Sequence, residues 1–351
     1  KSNLGGNLTL VLSLTFARLK AKSENKELFQ YIAQCLGSPM SQKLNGPILG
    51  HQTSLILPRP FFNVINGGAH ATHPESKLDF QEFQIIPDTQ DFGLALGFGQ
   101  EFYRKLKDFL ENKFGKENVI LGDEAGFSCP FKNNEEAIEI LADLIAKYNY
   151  PLKIGLDTAA TQFYLPAEAL AKEGKSGKYL IDGKSYSAEE LKDFYLKLIE
   201  AYGIFSIEDP FFEESFDDFS GLMRDLQSKE IGNNFGKSDF QKTLIIADDL
   251  TTTNFERLKV AIKKKSGNAI LVKPNQIGTL TETLNVIKLA YENTWQAVIS
   301  HRSGETMDSF IADLAAGAGA FGIKAGAPSA PERMAKYDRI LKISNCSNYS
   351  D

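Results

Sequence analysis

Residues 153–157 read KIGLD, a short apolar run that stops on a carboxylate. The same shape recurs at 204–208 (IFSIE), 244–248 (LIIAD), 270–273 (ILVK), 298–301 (VISH) and 321–324 (FGIK). Amphipathic stretches such as 187–202, 254–265, 280–293 and 305–318 lie between them. Strand-like runs alternating with helical ones are βα units, which build a parallel sheet with right-handed crossovers. Toward the N-terminus, 61–65 (FFNVI) and 83–86 (FQII) are two further strand candidates, parted by a polar, glycine-containing loop and no helix. Two helices follow. In 91–114, Phe98, Phe102, Leu106, Leu110 and Phe114 recur every four positions, and 134–148 has Asn133 as its cap and acidic residues in its first turn. Eight strands predict a closed α/β barrel whose first pair departs from simple alternation.

Upstream, residues 8–36 predict one or two helices ending before Gly37 and Pro39, and a Pro/Gly-marked stretch, 46–60, reads as a boundary. The division that follows is a helical segment at 1–54 and a barrel at 55–351. The polar stretch 228–241 (SKEIGNNFGKSDFQ) predicts a surface loop. The run 8–17 (LTLVLSLTFA) has the length of a signal-peptide core. Thr9, Ser13 and Thr15 interrupt it, and Arg18, Lys20 and Lys22 follow in place of a cleavage site, so it reads as a packed helix. No run approaches the roughly 18 apolar residues that span a bilayer.

The 351 residues suffice for one large barrel, and 42% hydrophobic with 24% charged residues is an ordinary globular balance. A net charge of −6 argues against a nucleic-acid partner, which calls for a basic face. Cys35, Cys129 and Cys346 are odd in number and lack metal-type spacing, so they read as reduced thiols in a cytosolic compartment. Cys129 has no base-and-orienter pattern near it and reads as structural.

Barrels of this class form their sites at the C-terminal strand ends. Six consecutive strands here end in Asp157, Glu208, Asp248, Lys273, His301 and Lys324. Singly, such an Asp is a common helix cap and such a Lys a solvated loop residue. Together they would repel at one mouth unless a ligand or metal balanced them. Three carboxylates, with no Cys or His on the same strands, point to a hard, oxygen-preferring cation such as Mg²⁺. A lysine beside divalent cations should have a lowered pKa and can act as a base, and Lys273 and Lys324 face that pocket. Metal on a substrate carboxylate would make the weakly acidic neighbouring C–H removable. His301–Arg302–Ser303 offers a planar donor fork and a hydroxyl, apt for phosphate.

At this point the residues match a known family. The segments 63–70 (NVINGGAH), 81–83 (QEF), 122–127 (GDEAGF) and 206–211 (SIEDPF) resemble enolase. So do 248–251 (DDLT), 273–278 (KPNQIG), 300–305 (SHRSGE) and 323–328 (IKAGAP), in enolase order and over nearly the whole chain. The resemblance implies a ββαα(βα)6 TIM-like barrel beside the helical remnant of an N-terminal capping domain. It implies a glycolytic lyase that interconverts 2-phosphoglycerate and phosphoenolpyruvate. A Lys or His base working with one or two Mg²⁺ is the established pattern of this superfamily.

The roles that carry over are these. Asp157, Glu208 and Asp248 would bind the first Mg²⁺, and Lys273 would take the proton from carbon 2. Glu124, supported by Glu82, would protonate the departing hydroxide. Arg302 and Ser303 would hold the phosphate, with the second Mg²⁺ nearby, Lys324 would contact the substrate carboxylate, and His70 and His301 would line the pocket. The family is usually a cytoplasmic homodimer.

The chain also departs from the family. Ala125 stands where Gly is usual, a change able to stiffen or misplace the loop that bears Glu124. Thr161 and Gln162 replace Ser-Glu behind Asp157, and the loop from His70 to Glu82, with Pro74, is longer than usual, so closure over substrate should differ. A capping segment of roughly a hundred residues would precede Gly5, by comparison with the family's usual length. Its mobile loop would supply a serine to the second Mg²⁺. Without it, the barrel mouth and a capping surface would stand uncovered and turnover would be weak. The competing readings are another superfamily enzyme, which the phosphate triplet opposes, and a non-catalytic relative acting as a binding protein, which intact ligands and base oppose.

Overall fold

The computed structural model describes residues 4–37, 57–166, 177–228 and 243–346. The boundary between 54 and 55, the stretch 228–241 past Ser228, and the side chain of Cys346 lie outside the described residues.

Eight strands close into a ring: β1 (Arg59–Asn66), β2 (Glu82–Pro87), β3 (Leu152–Asp157), β4 (Ile204–Glu208), β5 (Leu244–Ala247), β6 (Ala269–Val272), β7 (Gln296–Ser300) and β8 (Gly322–Lys324). Each pairs with the next in sequence, and β8 pairs with β1 to complete the barrel. β2 runs antiparallel to both neighbours, while the others are parallel. The β1–β2 connection carries only a 3-10 turn at Gly68–His70 and no packed crossover helix, and the chain turns back on itself.

Preceding the barrel are α1 (Gly6–Ser23) and α2 (Leu28–Leu36). Between β2 and β3 lie α3 (Phe92–Phe114) and α4 (Asn134–Tyr148), and the Asn133 side chain caps α4 by accepting from the Glu136 amide. One long helix then follows each strand from β3 to β7: α5 (Ala188–Tyr202), α6 (Phe216–Ser228), α7 (Phe255–Lys264), α8 (Leu280–Glu292), which a single helical turn at Pro274–Ile277 precedes, and α9 (Phe310–Ala318). After β8 comes α10 (Pro331–Cys346). This is the expected ββαα(βα)6 order, with two small antiparallel pairings that the residue pattern did not reveal, a pair at Ile120–Leu121 with Phe127–Ser128 and a three-stranded sheet within 164–186.

The period of two along each strand sorts the core. Phe62, Val64, Ile154, Leu156, Ile245 and Ile270 join the larger apolar cluster between barrel and helices. Phe61, Ile86, Phe205, Leu244, Ile246, Leu271 and Val298 form a second cluster that plugs the barrel. Along the plugging face, side chains turn polar toward one end: Ile246 gives way to Asp248, Leu271 to Lys273, Val298 to Ser300. On the reversed strand the same gradient runs backward, Ile86 to Gln84 to Glu82, which is why that carboxylate begins its strand. Gly155 marks the crowded middle, since a Cβ there would lie 2.5 Å from Ser206 Oγ and 3.1 Å from Gln84 Oε1.

The run read as a packed helix does form α1, but it packs through Ala17 and Ala21 and leaves Leu8, Val11, Leu12, Phe16 and Leu19 exposed. No described helix is long and apolar enough to cross a membrane.

Candidate active site

Sheet register sets three carboxylates side by side at the barrel mouth. Glu82 pairs with Asp157, and Asp157 with Glu208. Like charges on adjacent strands repel, and all three are buried. Lys324, from the last strand, supplies the compensation. Its Nζ lies 2.8 Å from Asp157 Oδ2, 2.9 and 2.8 Å from the Glu208 oxygens and 3.2 Å from Glu82 Oε2. Burial works to strip the Lys324 proton, but the carboxylates of Asp157, Glu208 and Glu82 outweigh it and hold its pKa well above the usual range. One ammonium does not neutralise three carboxylates. Burial, then the neighbouring Asp157 charge, holds Glu208 well above an ordinary carboxyl, and burial with Glu124 does the same to Glu82.

Next along the ring, Lys273 donates from Nζ to Asp248 Oδ2. Its backbone amide donates to Thr253 Oγ1 at 2.9 Å, fixing the strand end. Burial pulls the Lys273 pKa down, yet the Asp248 and Glu208 carboxylates prevail and raise it. The lowered pKa expected from the sequence was set for an amine beside bound divalent cations, whereas the protein's own groups surround Lys273 with anions. Asp209, unremarked in the sequence reading, accepts from the amides of Asp248 (3.0 Å) and Asp249 (2.7 Å). Asp209, Thr252 and Thr253 adopt left-handed φ of 44°, 48° and 54°, a concentration of strained backbone around Asp248.

Across the mouth, Glu124 sits buried in the loop after α3, accepting from Asn63 Nδ2 at 3.1 Å. His301 Nε2 lies 3.2 Å from Glu124 Oε2. His70 Nδ1 is 3.6 Å from Glu82 and 3.9 Å from Glu124, and its Nε2 is 3.2 Å from Ser303 Oγ. Expected acid, support, pocket histidines and phosphate serine are therefore one connected group. Arg302 stands exposed at the rim. Ala125 holds φ 61°, the conformation for which glycine is the usual choice, and Tyr103 anchors it by donating to its carbonyl at 2.6 Å. Gln162 reaches the site through Gln81, which donates to Asp157 Oδ2 at 3.2 Å, while Thr161 instead accepts from the Glu213 amide.

Among the described residues, two trios bring one ligand atom from each member within 4.8 Å of the others: His70–Glu82–Glu124 and Asp209–Asp248–Asp249. The expected trio of Asp157, Glu208 and Asp248 is not one of them. Lys324 draws the first two together, and Lys273 engages the third. The donor chemistry still fits a hard cation. Asp157, Glu208 and Asp248 offer oxygens alone, and Asp248 Oδ1 is buried with no hydrogen-bond partner.

A closed α/β barrel with buried carboxylates, lysines and a histidine gathered at its C-terminal mouth has the arrangement of a barrel enzyme's active site. Residues 54–348 match the family described as "Enolase, C-terminal TIM barrel domain". The chain is 39% identical to an enolase of Aeropyrum pernix, covering 100% of this chain and 72% of that protein. It is 39% identical to an enolase of Methanocaldococcus jannaschii (98% of this chain, 71% of the relative) and to enolase B of Dictyostelium discoideum (98% and 72%). The chain belongs to the enolase family.

Proposed function

We propose that this chain catalyses the reversible dehydration of 2-phosphoglycerate to phosphoenolpyruvate, with Lys273 as base and Glu124 as acid. The observation that carries the reading is the charge imbalance at the mouth. Among the described residues, Glu82, Glu124, Asp157, Glu208, Asp209 and Asp248 are buried there against the cations Lys273, Lys324 and Arg333. Asp157, Glu208 and Asp248 would hold Mg²⁺, which when bound offsets the second negative charge that builds on a carboxylate as its α-proton leaves. Lys273, whose amine lies against Asp248, would take the proton from carbon 2. Burial works to raise the Glu124 pKa, but His301, Lys324 and His70 hold it well below the ordinary carboxyl range in the free chain. Glu124, beside Glu82 and His70, must therefore first take up a proton before delivering one to the departing hydroxide. Ser303 and the rim residue Arg302 hold the phosphate, and Lys324 faces the substrate carboxylate once ligands occupy Asp157 and Glu208.

As read here, residues 1–54 belong to a capping unit and 55–351 to the catalytic barrel. A dimer in the cytoplasm, and a second Mg²⁺ bound with substrate, go with the same reading. The test is direct. Phosphoenolpyruvate formation from 2-phosphoglycerate should stop on EDTA treatment and return with Mg²⁺; activity indifferent to EDTA contradicts the reading.

A further inference from the structure

We propose that Arg333 is a positioning residue that fixes His301 as its Nε2–H tautomer, aimed at Glu124. The inference rests on the assignment of Glu124 as the acid. Arg333 lies in the first turn of α10 and is 1% exposed. Its Nη1 is 2.5 Å from His301 Nδ1. A guanidinium can only donate, so Nδ1 must present its lone pair and the ring hydrogen must sit on Nε2. That nitrogen is the one 3.2 Å from Glu124 Oε2, though not yet aligned for a hydrogen bond. Glu124 favours a second ring proton, but burial and Arg333 on the opposite side oppose it, and the His301 pKa is lowered.

The same fork ties the two loops together. Nη1 donates to the Arg302 carbonyl at 3.0 Å, and Nη2 donates to the carbonyls of Ser303 (2.6 Å) and Asp123 (2.8 Å). One side chain thus grips the residue before Glu124 and three consecutive residues of the phosphate segment. A lysine, a single point of charge, cannot span those acceptors. Among the described residues Arg333 has no carboxylate partner, so its charge is left to act at the anion-binding mouth. Gly326 opens its path: a Cβ there would lie 2.9 Å from Arg333 Cδ and 3.0 Å from the Glu124 carbonyl.

The experiment is ¹⁵N NMR of the whole chain with labelled histidine. Only four histidines are present, and His301→Gln assigns the signal. In the unaltered chain, without substrate, His301 should show a protonated Nε2 and a bare Nδ1. An Nδ1–H ring or an imidazolium there overturns the proposal, whether or not any variant folds. Arg333→Met should scramble the tautomer and lower kcat by about tenfold or more, with a smaller change in KM, since misplacing a reacting group by about 1 Å can cost on the order of 10²-fold. The loss should be largely absent when the substitution is added to His301→Gln. A retained tautomer with kcat within about twofold per folded molecule, or losses that multiply across the pair, also overturns it. If the unaltered chain has the stated tautomer but no hydratase activity, the proposed function fails while the tautomer assignment stands.

Discussion

Lys324 donates to both carboxylate oxygens of Glu208, at 2.9 and 2.8 Å, from a strand four places away around the barrel ring. With Asp157 and Glu82 on the same ammonium, this is the central electrostatic tie of the mouth. Removing one partner of a buried ion pair leaves the other charged and unpaired, typically at a cost of about 3–5 kcal/mol. Lys324→Met should lower the unfolding free energy by about that much in urea titrations run in EDTA, and a loss below about 1 kcal/mol would contradict the tie.

The second prediction concerns Ala125, whose φ of 61° an alanine adopts only under strain. Ala125→Gly should stabilise the chain by up to about 1 kcal/mol, the relieved strain being partly offset by the greater freedom of glycine when unfolded. Ala125→Val, β-branched at the same φ, should destabilise. Denaturant unfolding of both variants measures this; a glycine variant less stable than its parent by more than about 1 kcal/mol shows that the loop is not strained there.

These two residues also show how far the sequence could be read. Lys324 was legible because strand-end position is a rule of barrels, and Ala125 because a glycine-type position leaves a visible trace when replaced. The reversal of β2 was half legible: the missing helix was plain, but that Glu82 opens its strand at the mouth follows only from the antiparallel pairing. Arg333 was invisible. It sits on a helix outside every strand end, and its partners are mostly carbonyls, which carry no sequence signal. Asp209 escaped for a related reason, since it acts through backbone amides. The protonation of Lys273 was not legible either, because its sign depends on the balance of charges around the amine, and spacing alone does not report that balance.

A third prediction distinguishes the thiols. Cys129 is fully buried, and burial pushes its pKa up to about 12, whereas Cys35 is exposed. At mildly alkaline pH, iodoacetamide should label Cys35 in the native chain and reach Cys129 only after unfolding. The linkage has a definite sign. Folded Cys129 holds its proton more tightly than the unfolded thiol, so its contribution to stability is whole below the ordinary thiol value and declines as pH rises toward 12. Native labelling of Cys129 at the rate of Cys35 would show that its pocket opens readily.

The central claim is that Lys273 removes the carbon-2 proton. The direct measurement is exchange of that hydrogen with solvent, followed by NMR of 2-phosphoglycerate in D₂O with Mg²⁺, in the unaltered chain and in Lys273→Ala. The account predicts exchange in the first and none above background in the second, with Mg²⁺-dependent stabilisation retained in both. Undiminished exchange in Lys273→Ala would place the base elsewhere.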